Sequence, residues 1–242
     1  MTAQESLPPA APLAEKMLPK VKRLARYHGH RVEGIEHVPE KGPVLFVASH
    51  GLVTYDIALL ALRVYEARGV IMQGLADRIN FRFPIWRDFS KGIGWIEASH
   101  ESANHALQNE QRFLMVAPGG MREAILPATD KYRLDWTDRK GFVRLAIRTQ
   151  TPMVLCVCPA ADDMFHVVGN LLTDWVYDKF RAPMPLAFGR WGLPIPKPVQ
   201  LTHYLSQLVV PPKVSESDVA AFEKAVDELH AEVCQRAQTM MD

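Results

Sequence analysis

Two stretches of the chain hold side chains whose types and spacing suit chemistry: Ser49-His50-Gly51-Leu52-Val53-Thr54-Tyr55-Asp56 and Ala117-Pro118-Gly119-Gly120-Met121-Arg122-Glu123-Ala124. An imidazole and a carboxylate at H-x5-D spacing can form a general-base pair. The carboxylate fixes one ring nitrogen of His50 as a donor and raises the basicity of the other, which then takes a proton from an attacking hydroxyl. With such a base an alcohol attacks a thioester carbonyl without any nucleophilic side chain. In the second stretch, Gly119-Gly120 permits positive φ and lets the backbone present its amides. Arg122 offers a planar, permanently charged fork that suits phosphate or carboxylate, and Glu123 is placed either to orient Arg122 or to meet a polar headgroup. Taken singly, the first motif also describes a core histidine beside a helix-capping aspartate. The second also describes a tight turn with a surface Arg-Glu pair.

Each motif follows a short apolar run that reads as a buried strand, Pro43–Ala48 before the first and Phe113–Ala117 before the second. Further strands are expected at Val70–Gln73, closed by Gly74, at Ile93–Ile96 and at Met153–Val157, with a late strand or hairpin over Val199–Leu208. Helices are expected at Ile57–Arg68, Glu101–Gln111 and Gly141–Gln150, and the aromatic-rich Ile79–Phe89 reads as helical up to Pro84. A last helix follows Ser217 as N-cap, with Val219, Phe222, Val226, Leu229 and Val233 on one apolar stripe. Strands alternating with helices predict an α/β fold: a single domain whose mainly parallel mixed sheet is flanked by helices. The catalytic ends of such sheets are the carboxyl ends of the strands, which is where both motifs fall.

The domain is expected over 32–242, preceded by a leader and basic segment over 1–31. Residues 1–12 are Pro/Ala-rich and read as disordered. From Leu13 to Arg31, Lys16, Lys20, Lys22, Arg23 and Arg26 alternate with Met17, Leu18, Val21 and Leu24, a pattern that lays an apolar face on lipid or packs on the domain. Pro19 argues against a continuous helix there. Asp163 to Pro198 carries Trp175, Trp191 and a run of prolines and reads as a loop-rich wall or lid.

A net charge of +1 leaves no global field for nucleic acid, and no zinc-like spacing occurs. The three cysteines, Cys156, Cys158 and Cys234, form no framework; the first two share a strand face and read as small buried hydrophobes. No metal is expected. His100 and His105 read as surface or packing residues. With no G-x-S-x-G, no P-loop and no G-x-G-x-x-G, a nucleophile elbow and a nucleotide fold are not expected. Lacking an apolar run long enough to span a bilayer or a signal-peptide pattern, the chain is expected in the cytoplasm or peripherally on the inner face of a membrane.

Both motifs, together with Val32-Glu33-Gly34-Ile35-Glu36-His37-Val38-Pro39, Gly141-Phe142-Val143-Arg144-Leu145-Ala146 and Thr151-Pro152-Met153-Val154, resemble in order and spacing the blocks of the glycerolipid (lysophospholipid) acyltransferase superfamily. The likeness runs from about Val32 to about Val210 and is nearest the branch of transmembrane protein 68 and the phytyl ester synthases, where the third block reads P-G-G-x-R-E-A. Against the wider superfamily, H-x4-D is here one residue longer. In the usual F-P-E-G-T-R block, Gly119 stands in place of the glutamate and Met121 in place of the threonine. The resemblance implies an O-acyltransferase for lipid metabolism, moving a fatty acyl group from acyl-CoA or acyl carrier protein to a lysophospholipid, glycerol phosphate, diacylglycerol or similar alcohol at a membrane surface. It implies no other cofactor. His50 and Asp56 would be catalytic, and Gly119, Gly120, Arg122 and Glu123 would bind substrate. A thioesterase or lipid esterase using the same pair, or a non-catalytic acyl-lipid binder, are the alternatives.

Overall fold

The computed structural model describes residues 12–82, 84–120, 123, 131–136, 138–168 and 186–242. The leader expected over 1–12 therefore lies almost wholly outside the described residues, as do Arg122 and the middle of the Pro/Trp-rich stretch.

The β-strands are β1 (Arg31–Glu33), β2 (Val44–Ala48), β3 (Gln73–Ala76), β4 (Ile96–Glu97), β5 (Phe113–Val116), β6 (Met153–Val157), β7 (His166–Val168), β8 (Leu186–Phe188) and β9 (Thr202–Leu205). Seven of them form one sheet of order β1-β9-β6-β2-β5-β3-β4, parallel throughout except between β6 and β9. The expected single α/β domain with a mainly parallel sheet is what the chain adopts. At its centre, β2 is buried along its whole length, as a strand covered on both faces must be. Its side chains alternate between layers. Leu45 and Val47 meet helix α6 (Gly141–Thr149) and helix α7 (Val219–Met241) through Phe142, Leu145, Val226, Leu229 and Val233. Val44, Phe46 and Ala48 face Ile57, Leu60 and Val64 of helix α2 (Tyr55–Arg68).

Several expectations need correction. Helix α1 (Pro12–Tyr27) runs through Pro19, because Leu18, Val21, Leu24 and Ala25 pack on Leu59 and Leu62 of α2 and burial outweighs one lost backbone bond. That places the segment's apolar face on the domain. The strand expected at Val70–Gln73 begins only at Gln73 and contains Gly74 instead of stopping before it. A Cβ at residue 74 would lie 2.7 Å from Trp95 Nε1, so glycine serves here for close approach of the indole. The aromatic-rich segment is helical before Pro84, as expected, in the short α3 (Arg78–Arg82); unexpected is that Pro84 then opens helix α4 (Pro84–Gly92), as suits the first helical position. The strand expected at Ile93–Ile96 is only β4. The expected Glu101–Gln111 helix is α5 (His100–Asn104), continued by a π-helical stretch to Asn109. Asp218, not Ser217, caps α7, its side chain accepting from the Ala221 amide, and Val219 is exposed. At the described ends of the loop-rich stretch, β7 and β8 pair antiparallel.

Candidate active site

Three neighbouring parallel strands end together and supply the site. β2 pairs with β5 as Val47 with Val116 and with β6 as Ala48 with Cys156. The residues that follow on each strand, Ser49-His50, Pro118-Gly119-Gly120 and Cys158 with the 3-10 turn Pro159–Asp163, therefore emerge side by side. Among the described residues, Ser49, His50, Cys158, Ala161 and Asp162 line, with Glu123, Arg133 and Met241, a cleft of about 230 Å³ that includes space open to solvent. The two sequence motifs thus meet across the carboxyl edge of one sheet.

His50 is buried (6% exposed) at this edge. Its Nδ1 donates to the Gly51 carbonyl at 3.1 Å, and the backbone of Gly120 also faces the ring. Nδ1 is then the protonated nitrogen and Nε2 carries the lone pair. Burial holds the imidazole below its ordinary pKa, so it is neutral near pH 7, while the two backbone contacts act in the opposite sense. The turn carrying it is tight: a Cβ on Gly51 would lie 3.1 Å from the Ala161 carbonyl, and Thr54 adopts a left-handed φ of 55° just before α2.

Asp56 opens α2 and is completely buried, 0% exposed. Burial raises its carboxyl to about 7, and neighbouring Asp162 adds to the rise. The backbone of Gly51, of Asp56 itself and of Ile57 faces the carboxyl and favours its ionised form, although neither oxygen has a hydrogen-bond partner among the described residues. His50 and Asp56 therefore share one turn without a hydrogen bond joining them. The Gly51 carbonyl fills the tautomer-fixing place that the spacing assigns to Asp56.

Glu123 is also buried. Its Oε2 accepts from Trp136 Nε1 at 3.3 Å, and Oε1 has no partner among the described residues. Burial drives this carboxyl well above its ordinary value, favouring the acid form, while the Trp136 indole acts in the opposite sense. The glycine at 119 has a steric cause: a Cβ there would lie 2.5 Å from Glu123 Cβ and 2.7 Å from its Cδ. Glu123 fills the space that any side chain at residue 119 would enter. Gly120, with φ of 56°, makes the turn that the pair of glycines predicts. Where Arg122 reaches lies outside the described residues.

Sequence reasoning missed Arg133, Asp162, Cys158 and Met241 as lining residues. Cys158 is the one with a legible signal, since the parallel register of β6 beside β2 sets it opposite His50. Burial pushes its thiol and that of Cys156 up, as suits inert side chains. The described residues contain no group of side chains fit to hold a metal ion and no helix long and apolar enough to cross a membrane.

Comparison with known proteins meets this geometry. A protein of Bos taurus called DGAT1/2-independent enzyme synthesizing storage lipids is 29% identical over 86% of this chain, which spans 60% of that relative's length. The Arabidopsis thaliana phytyl ester synthase 2, chloroplastic, is 28% identical over 58% of this chain and 21% of its own. Among solved structures, the 1-acyl-sn-glycerophosphate acyltransferase PlsC of Thermotoga maritima covers 91% of this chain and 79% of its own at a TM-score of 0.54 and 17% identity, a likeness of fold. The family match itself runs over residues 54–242, beginning just after His50 and taking in Asp56 and the whole Gly-Gly-x-Arg-Glu block. The chain belongs to the diacylglycerol acyltransferase family.

Proposed function

We propose that the chain is an O-acyltransferase that moves a fatty acyl group from an acyl thioester, acyl-CoA or acyl carrier protein, to a lipid alcohol, with His50 as general base. One observation carries this reading: Nδ1 of His50 is fixed as donor to Gly51 and the neutral ring offers Nε2 in a buried pocket. Nε2 takes the acceptor's hydroxyl proton as that oxygen attacks the thioester carbon. The tetrahedral intermediate then expels the thiolate, which recovers the proton from Nε2. Ionised Asp56 supports the imidazolium from within the same turn. Gly119 and Gly120 shape the strand end against the ring, and Arg122 binds a phosphate or other polar group of either substrate. Glu123 fills the volume above Gly119, where the superfamily's usual block carries a glutamate, and burial favours its acid form.

Lys16, Lys20, Arg23 and Arg26 are exposed on α1 while its apolar side chains face α2. Contact with the cytoplasmic face of a membrane is then through cations on anionic headgroups.

The test is product analysis with labelled oleoyl-CoA and a panel of lipid alcohols, run beside His50→Ala. A new ester whose formation falls about 10²- to 10⁴-fold in the variant is expected. Undiminished transfer by a folded His50→Ala protein refutes the base. Free fatty acid released at one rate with or without alcohol makes the chain a hydrolase.

A further inference from the structure

We propose that His203, backed by His30, is a positioning residue for the His50 turn: it donates a hydrogen bond to ionised Asp56 from behind the site, and the three side chains form one buried chain. The inference deepens the transferase reading and rests on it for its kinetic consequence. Nothing in the sequence motifs contains His30 or His203, and neither touches the pocket.

The geometry begins with unsatisfied atoms. Both Asp56 oxygens and His203 Nε2 are buried without a hydrogen-bond partner among the described residues, and Oδ2 and Nε2 face each other at 4.0 Å. Closing that gap by about 1 Å gives an ordinary N–H···O bond and satisfies an atom on each side. On its far side His203 is already engaged, its Nδ1 lying 2.9 Å from His30 Nε2. His30 is pinned at both ends of its backbone: its amide donates to the Ala25 carbonyl at 2.8 Å, and its own carbonyl accepts from Arg63 Nη2 at 2.8 Å. Arg63 and Asp56 both belong to α2, so one helix carries the carboxylate and fixes the far end of the chain.

Burial keeps both imidazoles neutral, below the ordinary histidine range, so the 4.0 Å contact is a site for a hydrogen bond and not an ion pair. The proton positions then follow from Asp56. When Asp56 is ionised, His203 carries its proton on Nε2 and donates to the carboxylate; its bare Nδ1 accepts from His30 Nε2–H. When Asp56 is protonated, it donates to His203 Nε2, His203 Nδ1–H donates to His30 Nε2, and His30 carries its proton on Nδ1, which is buried without a partner among the described residues; the one proton added relative to the ionised state comes from solvent. Each imidazole keeps one proton throughout, and its tautomer records the charge on Asp56. The other groups bearing on this chain are Tyr55, Cys158, Asp162 and Glu123 around Asp56, and His28, Arg63 and Glu66 around His30.

The experiment has two arms on the full chain. In ¹⁵N-histidine-labelled protein, two-bond ¹H–¹⁵N spectra, assigned with His203→Leu, should show His203 as the Nε2–H tautomer at pH 8 and as Nδ1–H at pH 5.5, with His30 switching alongside. A tautomer that stays fixed across that range, or Nδ1–H at pH 8, overturns the proposal. In the second arm, transfer from oleoyl-CoA to dioleoylglycerol is followed in His203→Leu, which removes the donor, and in His203→Gln, which restores an N–H near the Nε2 position. The Leu variant should lose about tenfold in kcat at unchanged KM, and its acidic limb should move up by about one pH unit; the Gln variant should recover most of both. Wild-type kcat and pH profile in a folded Leu variant also overturns it. If the wild-type chain transfers nothing between these probes, it is the substrate assignment that fails, and the tautomer titration decides the positioning role alone.

Discussion

Replacing Asp56 by asparagine exchanges a costly buried charge for a neutral isostere, and the structure gives the size of the effect. The carboxyl is raised from 3.8 to about 7 by complete burial. The folded state therefore binds this proton more tightly than the unfolded chain does. At 1.36 kcal/mol for each tenfold change in proton affinity, ionising the group inside the fold costs roughly 4 kcal/mol. That cost is absent below pH 4, where both states are protonated. It grows as pH rises from about 4 to about 7, and it is complete above 7. Asp56→Asn removes it, while the amide loses about 1–3 kcal/mol by meeting the surrounding backbone donors with one mismatched end. About 1 kcal/mol of the cost is already present at pH 4.5, so the variant should be no more stable than the parent there and more stable at pH 8, the two differences separated by roughly 3 kcal/mol. Urea unfolding at both pH values measures this directly. A stability change that is the same at pH 4.5 and pH 8 would refute the argument. The same substitution should abolish transfer, making Asp56 a residue retained for activity at the expense of stability.

Two further outcomes follow from the Gly-Gly turn. Gly119→Ala drives a methyl group into Glu123 and should destabilise the fold by about 1–3 kcal/mol, with Trp136 fluorescence shifting as its carboxyl partner is displaced. Glu123→Gln, by contrast, keeps the size of a buried side chain whose acid form burial favours; unfolding should move by less than about 1 kcal/mol and transfer should largely persist. Loss of all activity in folded Glu123→Gln would show that Glu123 works as a carboxylate.

Much of the fold was legible because its signals are local. β2, β5 and β6 are apolar runs closed by turn residues, and α6 and α7 repeat their apolar positions at helical spacing. The errors arose where a distant side chain decided the backbone: Trp95 over Gly74, or α2 beneath Pro19. The site divides in the same way. His50, Asp56 and the two glycines announce themselves through spacing, and the sheet register brings the motifs together as the α/β pattern predicts. The partner of Asp56 does not announce itself. His203 sits between Leu201 and Leu205 on the inward face of β9, so its only local signature is a histidine in an apolar stripe, and its contacts come from residues far away along the chain.

The pairing of β1 with β9 also bears on how the protein matures. It joins Arg31 to Thr202 and Val32 to His203, so the loop it closes takes in most of the polypeptide. Contacts of that separation form late, after locally connected units have condensed. During synthesis the His50 turn, with β5 and β6 beside it, can assemble while β9 and α7 are still being made. A ribosome-bound or carboxyl-truncated chain ending before Thr202 would lack His203 behind Asp56, Met241 at the pocket wall and the α7 side chains that cover Leu45 and Val47 of β2. Full activity would arrive only with the closing segments.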